Sequence, residues 1–100
     1  MSDNDKIIEK IIEEYGTDNQ IFQLFEELGE LIEAVNHYRR NKTNKQRVIE
    51  ELADTEFMME QLKYIFNLSE YAIQDCKERN IARLTTKLNN MKRRGKNGIC

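Results

Sequence analysis

The chain has no proline, no tryptophan and only four glycines in 100 residues. Without proline nothing forces a kink or deletes a helical hydrogen bond, and so few glycines favour long helices over a sheet protein. The only cysteines are Cys76 and Cys100, too far apart and too few for zinc-type spacing. Long apolar runs are missing too, so no segment reaches the length of a membrane-crossing helix. Met1-Ser2-Asp3-Asn4-Asp5 is acidic and precedes no apolar run, which does not read as a signal peptide. Reduced thiols, a cytoplasmic location and no membrane partner are the expectations.

What the chain does have is charge, at 34% of residues, unevenly spread. Residues 1–60 hold fifteen acids and seven bases, a net of −8, whereas residues 61–100 hold three acids and nine bases, a net of +6. That division suits a protein that binds a metal with one part and phosphates with the other. It equally suits helices that associate by charge complement. The length is that of one domain, near the size at which oligomerisation often helps.

Four helices are expected. The first runs from about Asn4 to Tyr15 with Ile7, Ile8, Ile11, Ile12 and Tyr15 on one stripe, and Gly16 suits the left-handed residue after it. Thr17-Asp18-Asn19-Gln20 has the form of a capping box and should open a second helix carrying Phe22, Phe25, Leu28, Ile32, Val35 and Tyr38 to about Arg40 or Asn41. Thr43-Asn44-Lys45-Gln46 repeats that form and opens a third helix, reaching about Phe66. Ser69 is the expected N-cap of a fourth, ending near Met91. The expected organisation is one domain over residues 1–91 and a basic flexible tail over residues 92–100. Short connections imply antiparallel neighbours, so the expected fold is all-α, an antiparallel four-helix bundle.

Two acidic clusters lie on these helices, Glu26-Glu27-Leu28-Gly29-Glu30 and Glu50-Glu51-Leu52-Ala53-Asp54. Each places carboxylates at i,i+3, on one helical face. On a wheel of about 100° per residue, Val48, Leu52, Thr55, Met58, Met59, Leu62, Ile65 and Phe66 fill one arc. Glu51 falls inside it, with no Lys or Arg at i±3 or i±4 on that stripe as a counter-charge, and Asp54 falls on its edge. Glu50 and Glu56 face water. Glu27 flanks the arc of Leu24, Phe25, Leu28 and Ile32, Glu30 sits one step further out, and Glu26 and Glu33 point to solvent. Carboxylates in an apolar stripe cost several kcal/mol unless paired or bound to a cation. Two such helices packed together would aim four carboxylates at one spot, which reads as a hard-metal site, most simply Mg²⁺. Gly29, costing about 1 kcal/mol relative to Ala in mid-helix, would suit a helix or ligand approaching closely there.

The two clusters together resemble the E-E-x-x-E … E-x-x-D signature of the MazG-like superfamily of all-α nucleoside triphosphate pyrophosphohydrolases. Lys77-Glu78-Arg79-Asn80-Ile81-Ala82-Arg83 resembles the K-x-x-N-x-x-R segment on the last helix of many members, and the likeness covers roughly residues 18–84. It implies a four-helix fold completed by homodimerisation, sometimes as a homotetramer. It also implies Mg²⁺-dependent hydrolysis of an NTP or dNTP to the monophosphate and pyrophosphate, with Mn²⁺ as a substitute. Carried over by position, Glu27, Glu30, Glu51 and Asp54 would be metal ligands, with Glu30 and Glu27 as the catalytic carboxylates and Glu30 orienting the water. Lys77, Asn80 and Arg83, at i,i+3,i+6, would face the phosphates. The chain departs from many members in having no tryptophan to stack on a base; Tyr15, Phe22 or Phe25 would substitute.

Other readings compete. A di-iron bundle needs Glu-x-x-His pairs, and the only histidine, His37, follows Glu33 at i+4, so that reading fails. Phosphoribosyl-ATP pyrophosphohydrolase would share the metal ligands, but nothing positively supports it. In a non-catalytic helical dimerisation or protein-interaction module, Phe57, Met58, Met59 and Phe66 would form an adaptable contact face. Lys87, Lys92, Arg93, Arg94 and Lys96 lack interleaved aromatics, so no specific nucleic-acid partner is expected.

Overall fold

A computed structural model of the protein describes residues 3–97. Among the described residues there is no strand, and four helices follow one another: α1 Asp3–Tyr15, α2 Thr17–Arg39, α3 Lys45–Ile65 and α4 Glu70–Asn97. The chain divides into two compact units, residues 1–67 and 68–100. No helix among the described residues is long and apolar enough to cross a membrane.

In the first unit, Gly16 joins α1 to α2 without an intervening loop. Its amide closes α1 by donating to Ile12 O at 2.8 Å, and its carbonyl opens α2 by accepting from Gln20 N at 3.2 Å. Serving both helices requires φ +88° and ψ 151°, a conformation open to glycine and strained for any residue with a Cβ. Gly16 therefore takes the N-cap place expected of Thr17, which is the first residue of α2; no side chain caps that end. Asn19 Nδ2 instead donates to Tyr15 O at 2.6 Å, covering a carbonyl at the end of α1. The second expected capping box is displaced in the same way: the cap of α3 is Asn44, whose Oδ1 accepts from Arg47 N at 3.1 Å. An asparagine beside the threonine offers a planar acceptor without a β-branch, and it takes the position.

The turn between α2 and α3 passes through Asn41 at φ 60°, and asparagine is the residue with a Cβ that best tolerates this region. So short a turn sends α3 back antiparallel along α2, and these two helices form the main packing of the unit, with α1 against both. The core consists of Ile8, Leu24, Ala34 and Met58 together with buried Thr55 and Gln61. It corrects the expected facing of α2. The side that meets α3 centres on Leu24 and Ala34, while Phe22, Phe25, Ile32 and Val35 are exposed. The α3 arc is also narrower than expected, since Leu52, Met59 and Phe66 are exposed. Nor, among the described residues, does another element close on Gly29: a Cβ built there meets nothing within 4 Å beyond its own helix backbone.

The second unit contains α4. Ser69 caps it as expected, its Oγ accepting from Ala72 N at 3.1 Å. The helix does not stop near Met91 but continues to Asn97, so the first part of the expected tail is helical. Lys and Arg are good helix formers, and a single Gly95 does not outweigh them. Residues 98–100, the end of that expected tail, lie outside the described residues. Cys76 is a free, exposed thiol on α4; Cys100 lies outside the described residues.

Candidate metal centre

The antiparallel pairing of α2 and α3 brings the two acidic clusters face to face. One carboxylate oxygen from each of Glu27, Glu51 and Asp54 lies within 4.8 Å of the others. Glu27 and Glu51 are half-buried, Asp54 exposed. Thr55, with no exposed surface, holds the two helices at this point. Its hydroxyl donates to Glu51 O at 2.8 Å and lies 3.3 Å from Glu27 O, so one side chain touches the backbone beneath a carboxylate on each helix.

The oxygens are unevenly satisfied. Glu27 Oε1 accepts from Gln23 Nε2 at 3.0 Å, while its Oε2 is buried without a partner. Glu51 Oε1 lies 3.3 Å from Arg47 Nε, and its Oε2 is likewise buried without a partner. The Arg47 contact has the distance of an ion pair but not the alignment of a hydrogen bond, because Arg47 Nε is itself without a hydrogen-bond partner. This pair corrects the expectation that Glu51 has no base within helical reach. Arg47 is its i−4 neighbour, and its aliphatic stem can lie along apolar surface while the guanidinium turns back toward the carboxylate.

Glu30 belongs to the same group of charges. Its pKa is raised from the ordinary value, first by the negative charge of Glu27 and then by the neighbouring Glu51 carboxylate. Three of the four expected carboxylates, Glu27, Glu51 and Asp54, therefore meet, and Glu30 feels the charge of Glu27 and Glu51 from beside them. Glu50 and Glu56 are exposed and belong to none of this, as expected.

The donor set fits a hard divalent cation. It is all oxygen, anionic and supplied by two fixed helices, and two of its buried oxygens have no other partner. Sequence reading missed three supporting residues. Gln23 and Arg47 each sit at i−4 from a carboxylate, a spacing legible in the chain. Thr55 was legible only as part of an apolar arc, not as a bridge.

Lys77, Asn80 and Arg83 lie on α4, in the second unit, and all are exposed. Arg83 Nη2 donates to Asn80 Oδ1 at 3.2 Å, so those two side chains share a face. Lys77 and Asn80 border an open, mostly apolar depression with Ala72, Ile73 and Cys76; Arg83 borders another with Lys87 and Arg94. No family model, curated protein or solved structure matches this chain.

Proposed function

We propose that this chain is a divalent-cation-dependent nucleoside triphosphate pyrophosphohydrolase, a bundle completed by homodimerisation and working in the cytoplasm. The reading is carried by one observation: Glu27, Glu51 and Asp54 converge from two helices with two buried oxygens lacking any partner. A repulsive arrangement of that kind is costly as structure and useful as a cation site. Its likeness to the MazG-like signature, in both acidic clusters and in the α4 segment, gives the reaction class.

Glu27, Glu51 and Asp54, with Glu30 beside them, would hold Mg²⁺ or Mn²⁺. Such an ion, when bound, offsets charge on phosphate oxygens and lowers the pKa of bound water. Glu30 is exposed, and as a carboxylate its raised proton affinity suits its Oε atoms to accept a proton from the attacking water. Attack at the α-phosphorus breaks the bond to the bridging oxygen, and pyrophosphate leaves. Lys77 and Arg83 would offset charge on the outer phosphates and Asn80 would donate to one of them, a role resting on the motif alone.

The Arg47–Glu51 contact favours a second reading, in which Glu51 is a structural ion-pair partner and the protein a non-catalytic helical module. One experiment separates them. Pyrophosphate release is measured from a panel of canonical and modified NTPs and dNTPs, with Mg²⁺, with Mn²⁺ and with EDTA, for wild type and Asp54→Asn. Metal-dependent release that the substitution reduces by roughly a hundredfold or more is the expected result. Folded protein that releases nothing from any substrate, and that shows no thermal shift with Mg²⁺ or Mn²⁺, favours the module. Phosphoribosyl-ATP in the same panel tests the related hydrolase.

A further inference from the structure

The two half-buried glutamates of the cluster are built alike. On α2, Gln23 Nε2 donates to Glu27 Oε1 at 3.0 Å. On α3, Arg47 Nε lies 3.3 Å from Glu51 Oε1. In both cases the other oxygen, Oε2, is buried without a partner. Side chains four apart stack on one helical face, so each glutamate is met by the residue one turn before it. A single pair of this kind on a helix surface is common and carries no meaning by itself. Here it recurs on both helices, on the two glutamates that converge, and each time it divides a carboxylate into a held oxygen and a free one.

That division bears on which cation the glutamates can accept. Ca²⁺ takes about six to eight oxygens at roughly 2.3–2.6 Å and often draws both oxygens of a carboxylate. Mg²⁺ is smaller, demands near-octahedral geometry at roughly 2.0–2.1 Å and keeps several waters, so one oxygen from each carboxylate suffices. To offer its second oxygen, Glu27 has to give up the Gln23 hydrogen bond, and Glu51 has to give up the Arg47 contact. The two holding residues differ in charge. The Arg47 guanidinium repels every divalent cation alike, whereas occupation of an oxygen tells one coordination number from another. Gln23 is neutral and does only the second.

We propose that Gln23 and Arg47 are a matched pair of positioning residues that limit Glu27 and Glu51 to one ligating oxygen each, and so bias the site toward Mg²⁺ and against Ca²⁺. This rests on the metal-centre reading and names what in the chain sets its selectivity. The bias is a difference of affinities: it comes from what Ca²⁺ must break and Mg²⁺ need not.

The test needs no nucleotide and no turnover. Thermal melts over concentration series of Mg²⁺ and of Ca²⁺ give a dissociation constant for each from the gain in stability. They are run on wild type, Gln23→Met and Arg47→Met, which keep an unbranched stem and remove the polar end. The readout is the ratio of the two constants within one protein, which a change in overall stability does not move. Each substitution is expected to shift that ratio toward Ca²⁺ by roughly three- to tenfold, the worth of one lost contact. Arg47→Met, lacking a positive charge, also binds both cations more tightly, and Gln23→Met does not. Gln23 is exposed, so its variant decides the matter should Arg47→Met fail to fold. A ratio unmoved by substitution, in protein that both cations stabilise, overturns the proposal and leaves the functional reading standing. A wild type that neither cation stabilises overturns both.

Discussion

Replacing Glu27 with Gln should stabilise the protein without a cation and destabilise it, relative to wild type, with one. Without metal, Glu27 Oε2 is buried with no partner and its charge lies close to those of Glu30 and Glu51. An unsatisfied buried polar atom costs about 1–3 kcal/mol. Glu27 is only half-buried, and Gln23 satisfies its other oxygen, so the lower end applies, about 1 kcal/mol. Gln is isosteric, uncharged, and brings a donor that can face the equally unpartnered Glu51 Oε2. With Mg²⁺ at about a hundred times its dissociation constant, wild type gains about 2.7 kcal/mol by mass action, and a variant missing one ligand gains much less. The order of the two melting temperatures should therefore invert. For a chain of this size 1 kcal/mol is worth roughly 4–8 °C, well within the resolution of scanning calorimetry. The measurement is a pair of melts, in EDTA and in Mg²⁺, with Glu56→Gln, exposed and outside the cluster, as control. A variant less stable than wild type in both buffers would show Glu27 to be an ordinary structural carboxylate, and the metal-centre reasoning would fall with it.

Two further outcomes follow from the geometry. The raised pKa of Glu30 means that the folded state binds its proton more tightly than the unfolded state. That contribution is fully present below the unfolded-state value of about 4.3 and is lost as pH rises through the folded value. In EDTA the stability of wild type should decline across that window, and Glu30→Gln should flatten the decline; identical pH profiles for the two proteins would refute the coupling. Gln61 is 2% exposed, its Nε2 reaches only Met58 Sδ at 3.4 Å, and its Oε1 has no partner. Gln61→Met keeps the volume and removes the orphan, and should raise the urea unfolding free energy by about 1 kcal/mol; a fall would show that the amide makes a bond, through water for instance, that the side-chain geometry does not reveal.

Much of the fold was legible because helix formation here is governed by local rules. Without proline, with apolar residues at helical spacing, the start of each helix was readable to within about a residue, whereas the end of α4 lies six residues beyond the expected Met91. The errors at the helix starts share one cause, competition between neighbours for a single structural role. Gly16 and Thr17 both suit the start of α2, and the glycine wins because α1 must end at the same residue. Thr43 and Asn44 both suit the start of α3, and one residue's difference decides it. The facing of α2 was not legible, because the helix is apolar on two sides. Leu24 and Ala34 define the side that packs on α3, while the larger Phe22, Phe25 and Ile32 dominate any wheel and lie on the side left open. Size draws the eye to the wrong face, and only the partner helix reveals which one is core.

The carboxylate cluster was legible for a different reason: it conflicts with everything around it. A helical pair of this kind gains stability by burying apolar side chains, and placing Glu51 on that seam opposes the gain. Arg47 relieves part of the conflict and was overlooked, so its share has to be weighed. It brings one positive charge to a group of four carboxylates, reaches one oxygen of one of them at 3.3 Å, and is not aligned to hydrogen-bond it. Glu27 Oε2 and Glu51 Oε2 remain buried without partners after Arg47 is counted. Were the pair the purpose of the site, a single Glu51 would suffice, and Glu27, Glu30 and Asp54 would be a needless cost. A divalent cation between the helices would supply what Arg47 does not, since two positive charges and several open coordination positions would match the carboxylates that converge. On that reading Arg47 would hold Glu51 in place when no cation is bound.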